Sequence, residues 1–174
     1  MNPRVVAGAS AVVLALAGAL TSSFEGRSHT VYMDRLPALA IPTVCDGHTG
    51  PDVVIGKVYT DAECDALRQQ DLLAANAIVR RCVDREMPPK VEAAVTDFTL
   101  NVGAGRAGKG ADRGKDGFCV LRSGKPSTMR VLANAGDWAG VCRQFMAWTT
   151  SNGVEYGGLI KRRRKEQALC ESGL

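Results

Sequence analysis

Aromatic side chains are scarce in this chain: Phe, Trp and Tyr make up 5% of its 174 residues. Stacking platforms for single-stranded nucleic acid need closely set aromatics, so that class of function is disfavoured. Histidine is limited to His29 and His48, and none of the six cysteines forms a CxxC pair. Zinc-finger spacing is therefore absent. Excess charge is modest too, with a net value of +4 and a pI of about 8.8. That falls short of a dedicated nucleic-acid binder but suits work on an anionic polymer or surface. No internal repeat recurs along the chain, which argues against a repeat architecture.

What is present begins with an apolar head. Residues 5–21, VVAGASAVVLALAGALT, carry no charge, follow Arg4 and include nine Ala, Gly or Ser. As a helix they would span about 26 Å, slightly less than a hydrocarbon core of about 30 Å. Three readings stand: a signal peptide cleaved near Ala17-Gly18-Ala19, a permanent anchor, or a weak anchor able to leave the bilayer. Glu25 favours retention of the run. Cleavage after Ala19 would leave a frayed terminus just ahead of it, whereas a retained run continues as a helix or packs onto the domain. The remaining length suits one domain with one core. Cys45, Cys64, Cys82, Cys119, Cys142 and Cys170 are even in number and spread along a small exported domain, which reads as disulfides rather than buried thiols.

Helical signals dominate the body. Thr60-x-x-Glu63 is a capping box, and the apolar spacing after it predicts a helix over 61–82. Further helices are expected over 89–103, stopped by Gly103, within 126–136, over 137–153 from an Asp N-cap to Asn-Gly, and over 156–170. Residues 43–59 alternate short β-rich runs with Gly and Asp-Gly turns, as a small hairpin sheet does. The fold class is α+β, mainly helical. Residues 103–117, GAGRAGKGADRGKDG, contain Gly103-x-Gly105-x-x-Gly108. No βαβ unit frames those glycines, so the stretch reads as a flexible basic surface loop rather than a dinucleotide site.

Glycoside hydrolysis needs two carboxyl groups flanking one bond. Glu25 and Asp34 are candidates, with Thr43 to hold water, although Ser22-x-x-Glu25 also reads as a capping box. More specific is the wording around them. "EG…YxD" followed by "IPTVCDGHTG…GKVYTDAEC…L…DL", then "FTLNVGAG" (98–105), "NAGDWAGVC…AW" (134–148) and "GLIKRR…E…LC" (158–170) resemble the phage-type lysozymes, or endolysins. The resemblance is strongest to the subgroup with a signal-anchor-release N-terminus, and it covers nearly the whole chain apart from 106–117. The family's pattern is Glu, eight residues, Asp, five residues, Thr. Here Glu25 and Asp34 keep the gap, but eight residues separate Asp34 from Thr43, and Ala40 stands at the strict position. "IPTVCDGHTG" continues unbroken through Thr43, so the extra residues are expected in the hairpin turn. Asp46 stands where the family usually shows an aromatic or His.

The resemblance implies a lysozyme-like fold, with a small N-terminal sheet and a helical C-terminal lobe. It implies an anchor over 1–22 and a catalytic domain over 23–174. The implied reaction is cleavage of β-1,4 bonds between N-acetylmuramic acid and N-acetylglucosamine in peptidoglycan. Glu25 would be the general acid, Asp34 the base or charge stabiliser, and Thr43 the water-orienting group. Asn101 and Arg162 are candidate substrate contacts, although Arg162 and Arg163 read more readily as a solvated or ion-paired face. Trp138 and Trp148 read as core, and His48 as a hydrogen-bonded structural residue. The expected partners are peptidoglycan and the bacterial inner membrane through residues 5–21, with no nucleic acid, no cofactor and a monomeric state. The expected location is the inner membrane and then the periplasm. A rival reading is a catalytically dead peptidoglycan-binding or membrane-anchored protein with the same fold. Of the fifteen pairings six cysteines allow, Cys45–Cys64, Cys82–Cys119 and Cys142–Cys170 are expected.

Overall fold

The computed structural model describes residues 10–24, 26–34, 40–151 and 153–174; Glu25 and residues 35–39 lie outside the described set. The order is α1 (Ala11–Ser22), β1 (Ser28–Asp34), β2 (Ile41–Cys45), β3 (His48–Thr49), α2 (Asp61–Cys82), α3 (Pro89–Val102), α4 (Thr128–Ala135), α5 (Trp138–Gln144), β4 (Thr150–Ser151), β5 (Val154–Glu155) and α6 (Gly157–Glu171). The mainly helical α+β reading is what the structure shows.

Helix α1 starts at Ser10, whose side chain accepts from the Val13 amide at 3.2 Å. Val13, Ala17 and Thr21, four residues apart, form its buried stripe. Val13 and Ala17 pack with Leu72 of α2 and Ala93 of α3. The apolar head is thus docked on the body over residues 11–22. Among the described residues no helix is long and apolar enough to cross a membrane. Ser22 closes α1 at its C-terminal end. No helix starts there, so the capping-box reading of Ser22 is overturned.

The sheet has the order β1-β2-β3, both pairs antiparallel. Asp34 pairs with Ile41 and Tyr32 with Thr43; residues 35–39, in the stretch where the extra residues are expected, lie outside the described residues. Thr43 also pairs with Thr49. Cys45, Asp46 and Gly47 connect the Val44–His48 pair, with positive φ at Cys45 (+57) and at Gly47 (+91), the latter a conformation glycine takes at no steric cost.

Helix α2 opens on the expected capping box: Thr60 Oγ1 accepts from the Glu63 amide, and a Glu63 carboxylate oxygen accepts from the Thr60 amide at 2.8 Å. Helix α3 is the axis of the molecule. Val91 to Thr99 are buried without a break, because α1, α2 and α6 all pack around it. The main core gathers Val79, Val95, Phe98, Phe118, Met129, Val141 and Phe145. Trp138 and Trp148 pack against it, partly buried, and Trp148 meets Phe98 edge-on at 5.2 Å.

Two expectations change. Helix α5 and a following single turn end by Ala147, and Thr150–Ser151 pairs with Val154–Glu155 as a short hairpin. Gly153, at φ +78, therefore belongs to a strand reversal rather than a helix stop; Asn152 lies outside the described residues. Residues 103–117, read as a flexible loop, instead belong to a hydrogen-bonded arm over 103–122. Arg106 and Lys115 exchange both backbone bonds at 2.7 and 2.8 Å, and Lys109 and Asp112 do the same at 2.9 and 3.0 Å. The disulfides are Cys45–Cys64, Cys82–Cys119 and Cys142–Cys170, with Cα separations of 5.1, 5.7 and 5.5 Å. They tie β2 to α2, α2 to the base of the arm, and α5 to α6, as expected.

Candidate active site

A cleft of about 380 Å³ opens between the sheet and the helices. The sheet side supplies Tyr32, Asp34, Thr43, Asp46 and His48; the helical side supplies Thr21, Arg68, Asp71, Leu100, Asn101 and Arg162. A larger groove, about 560 Å³, runs between α1 and α2, but its lining is largely Ala, Gly and Leu with Asp65, Arg68 and Gln69. Ser22 also lines that groove, but the groove's carboxylate, Asp65, is paired with Arg27 and Arg68, whereas the smaller cleft brings Asp34 and Thr43 together and is the candidate site.

Strand alternation explains why Asp34 and Thr43 share the cleft. Successive side chains alternate between faces, and the Tyr32–Thr43 and Asp34–Ile41 pairs put Tyr32, Asp34, Ile41 and Thr43 on one face. Asp34 and Thr43 are diagonal neighbours, roughly 7–8 Å apart along the ladder. Thr43 is buried at 2% exposure, and its hydroxyl donates to the Ile41 carbonyl at 3.0 Å. Asp34 is half-buried at the end of β1. Four of the five candidate site residues, Asp34, Thr43, Asn101 and Arg162, therefore line one cleft; Glu25 lies outside the described residues.

Ser22, Phe24 and Arg27, on either side of residue 25, each have side-chain partners. Arg68 donates to Ser22 Oγ at 2.8 Å and to Asp46 at 2.9 Å. Arg27 grips Asp46 through two nitrogens, at 3.0 and 2.8 Å, and also reaches Asp61 and Asp65 of α2. Phe24 lies under Arg162 and Lys165 at 5.1 and 4.8 Å from its ring centre. The Arg27 bonds hold the Asp46 carboxyl below the usual carboxylate range, and the three aspartates raise Arg27 in turn.

His48, buried at 5% exposure, sits between two carboxylates. Nδ1 is 2.8 Å from Asp71 and Nε2 is 3.1 Å from Asp52. Burial pulls its imidazolium down, but both carboxylates outweigh that, and the net direction is up. Asp71 is itself raised by burial, although His48 opposes the rise.

Behind the cleft lies a buried charged cluster. Asp97, fully buried, accepts from Thr21 at 2.6 Å and from Arg162 at 3.1 and 3.3 Å. Arg163 is bidentate on Glu166 at 2.6 and 2.7 Å, donates to the Trp148 carbonyl at 3.1 Å and to Asn101 Oδ1, and lies over Phe98 at 4.7 Å. Burial pushes Glu166 up to about 8, Arg163 opposes the rise, and Asp97 adds to it; burial also lowers Arg163. The solvated-face reading of Arg162 and Arg163 is thus overturned and the ion-paired one stands. Asn101 is oriented by Arg163, which leaves its amide nitrogen as remaining donor. Sequence reasoning missed Arg27, Arg68, Asp71 and Asp97; for the last three, charge at helical positions was the only signal, and Arg27, between α1 and β1, had none. Among the described residues no cluster of three His, Cys, Asp or Glu could hold a metal ion.

Comparison with known proteins follows the same outline. The family model described as phage lysozyme matches residues 22–166. The SAR-endolysin of bacteriophage PS119 is 31% identical, over 98% of this chain and 93% of its own. That of enterobacteria phage P21 is 33% identical, over 84% and 76%. The solved active form of the P1 phage endolysin Lyz superposes with a TM-score of 0.71 at 25% identity, covering 94% of this chain and 85% of that one.

Proposed function

Because this chain belongs to the phage lysozyme family, and is a glycoside hydrolase on that footing, we propose that it is an endolysin that cuts the β-1,4 bond between N-acetylmuramic acid and N-acetylglucosamine. Membership of that family supports a peptidoglycan-lytic muramidase role. The observation that supports it most is the shared cleft face of Asp34 and Thr43, with Glu25 keeping its eight-residue distance from Asp34.

In this reading Glu25 protonates the leaving glycosidic oxygen. Asp34 stays ionised and either activates water on the other face of the sugar or balances the oxocarbenium charge. Thr43, held by its Ile41 bond, presents its oxygen lone pairs to that water. Asn101 and Arg162 line the opposite wall and contact the glycan. Residues 1–22 act as a signal-anchor at the inner membrane, and the enzyme enters the periplasm once they leave the bilayer. The docked α1, with Thr21 bonded to Asp97, supports a state in which that segment is part of the soluble fold. The likeness to a structure described as an active form points the same way.

The test is digestion of purified peptidoglycan with analysis of new reducing ends. Muramic acid at those ends is expected, and Glu25→Gln should lower their release by about two orders of magnitude or more while the fold persists. Near-normal release by the Gln variant overturns the assignment of Glu25. Binding without any release by the unaltered protein would favour the inactive, peptidoglycan-binding alternative.

A further inference from the structure

The arm over residues 103–122 has no counterpart in the motifs that identify the family, since 106–117 is the stretch they skip. It is nevertheless built rather than loose. Phe118 and Cys119 amides donate to the Gly103 and Ala104 carbonyls at 2.9 Å, closing its base. The two rungs at Arg106–Lys115 and Lys109–Asp112 carry it outward, and the Gly108 amide donates to the Arg122 carbonyl at 2.9 Å. At Gly105 and Gly114, with φ of +83 and +65, a Cβ would collide with neighbouring backbone, so glycine there is required by close packing.

Its charges divide into two sets. Arg106 is neutralised by Asp112, and Arg122 by Asp116. Lys109, Arg113 and Lys115 are exposed and have no ion pair among the described residues. The arm begins two residues after Asn101, which lines the cleft. The Lys115 ammonium stands about 4.0 Å from where a Cβ on Gly103 would lie, beside the cleft end of α3.

The geometry points to this arm as an interaction surface for the carboxylates of the wall's stem peptides, gripped by Lys109, Arg113 and Lys115 while the glycan occupies the cleft. It rests on the reading of peptidoglycan as substrate. A glycan thread presents carboxylates at intervals on its peptides, and single exposed ion pairs are weak. Three cations on one rigid support engage such a polymer together, which multiplies weak contacts. Salt screens contacts of this kind.

The full chain and its Lys109→Gln/Arg113→Gln/Lys115→Gln variant are pelleted with purified sacculi, and with the same sacculi after carbodiimide conversion of carboxylates to amides. On native sacculi at low salt the variant should bind on the order of tenfold more weakly. Binding of the unaltered protein should fall to the variant's level on amidated sacculi and in high salt. The Lys109→Arg/Lys115→Arg variant should bind as the unaltered protein does. Reducing-end release from amidated sacculi should be the same for the Gln variant and the unaltered chain. Equal pelleting of the two on native sacculi overturns the proposal. So does undiminished binding to amidated sacculi, or arm-dependent binding to phosphatidylglycerol vesicles stronger than to sacculi. Failure of the muramidase reading would appear separately, as normal pelleting without reducing ends.

Discussion

Asp46 and His48, two residues apart on either side of Gly47, take opposite routes to a buried charge. Asp46, 6% exposed at its side chain, is matched by Arg27 and Arg68, themselves 24% and 22% exposed. Breaking such a half-buried network should cost more than a surface pair and less than a fully enclosed one. Asp46→Asn is therefore expected to lower unfolding free energy by about 2 kcal/mol, read from denaturant midpoints; a loss under about 0.5 kcal/mol would mean water already screens the network. His48 gains its partners against burial, so its folded pKa lies above the ordinary 6.5. That stabilisation is fully present below the unfolded value and fades as pH rises through the folded one. The stability gap between the native chain and His48→Gln should be widest below the ordinary value of 6.5 and shrink as pH rises through the raised folded value; a gap that widens with pH contradicts the sign. His48 was readable in sequence as a structural residue, because it sits in a Gly-rich turn. Arg27–Asp46 was not, because 19 residues separate the partners and only sheet closure brings them together.

Among the elements, those with local signals were legible. The Thr60–Glu63 box gave the start of α2, and Gly103 the end of α3, because capping and helix breaking are decided within a few residues. The β4–β5 ladder was not, since Asn-Gly serves a helix end and a hairpin equally well and tertiary packing decides between them. The arm was misread for a similar reason: high glycine content suggests looseness, yet here it permits backbone to approach backbone. Helix α6 shows the same limit. Its run of basic residues suggested a wet face, whereas Arg163 is 1% exposed and Glu166 is fully enclosed. Arg163→Met should leave Glu166 to the longer Arg162 contact at 3.4 Å, free Asn101 and cost about 3 kcal/mol. Thermal unfolding measures it, and a variant as stable as the native chain would show that Met packing replaces the ion pair.

On the scale of the whole molecule, α1 has two separable faces. Val13, Ala17 and Thr21 dock it, while Ala15 and Ala19 are exposed. Gly18 is a poor place to add bulk, because a Cβ there already stands 3.5 Å from Leu72. Ala15→Leu with Ala19→Leu should raise lipid preference by several tenths of a kcal/mol per site and leave the docking stripe intact. If the head acts as the proposed anchor, the doubly substituted protein stays longer in the membrane fraction and lyses cells later than the unaltered one. Lysis on the normal schedule, or a mature chain beginning after Ala19, would make the head an ordinary signal peptide.

The nine enclosed residues of α3 acquire a use from that arrangement. One flank of the helix, at Ala93 and Asp97, is covered by α1 itself, and the rest by elements that stay with the body. Amide protons in a helix sealed on every side exchange with solvent only through large openings. Deuterium uptake along Val91–Thr99 thus becomes a clock for the head. It runs slowly while α1 is seated, and it quickens at Ala93 and Asp97 before Val95 and Phe98 once the head is elsewhere.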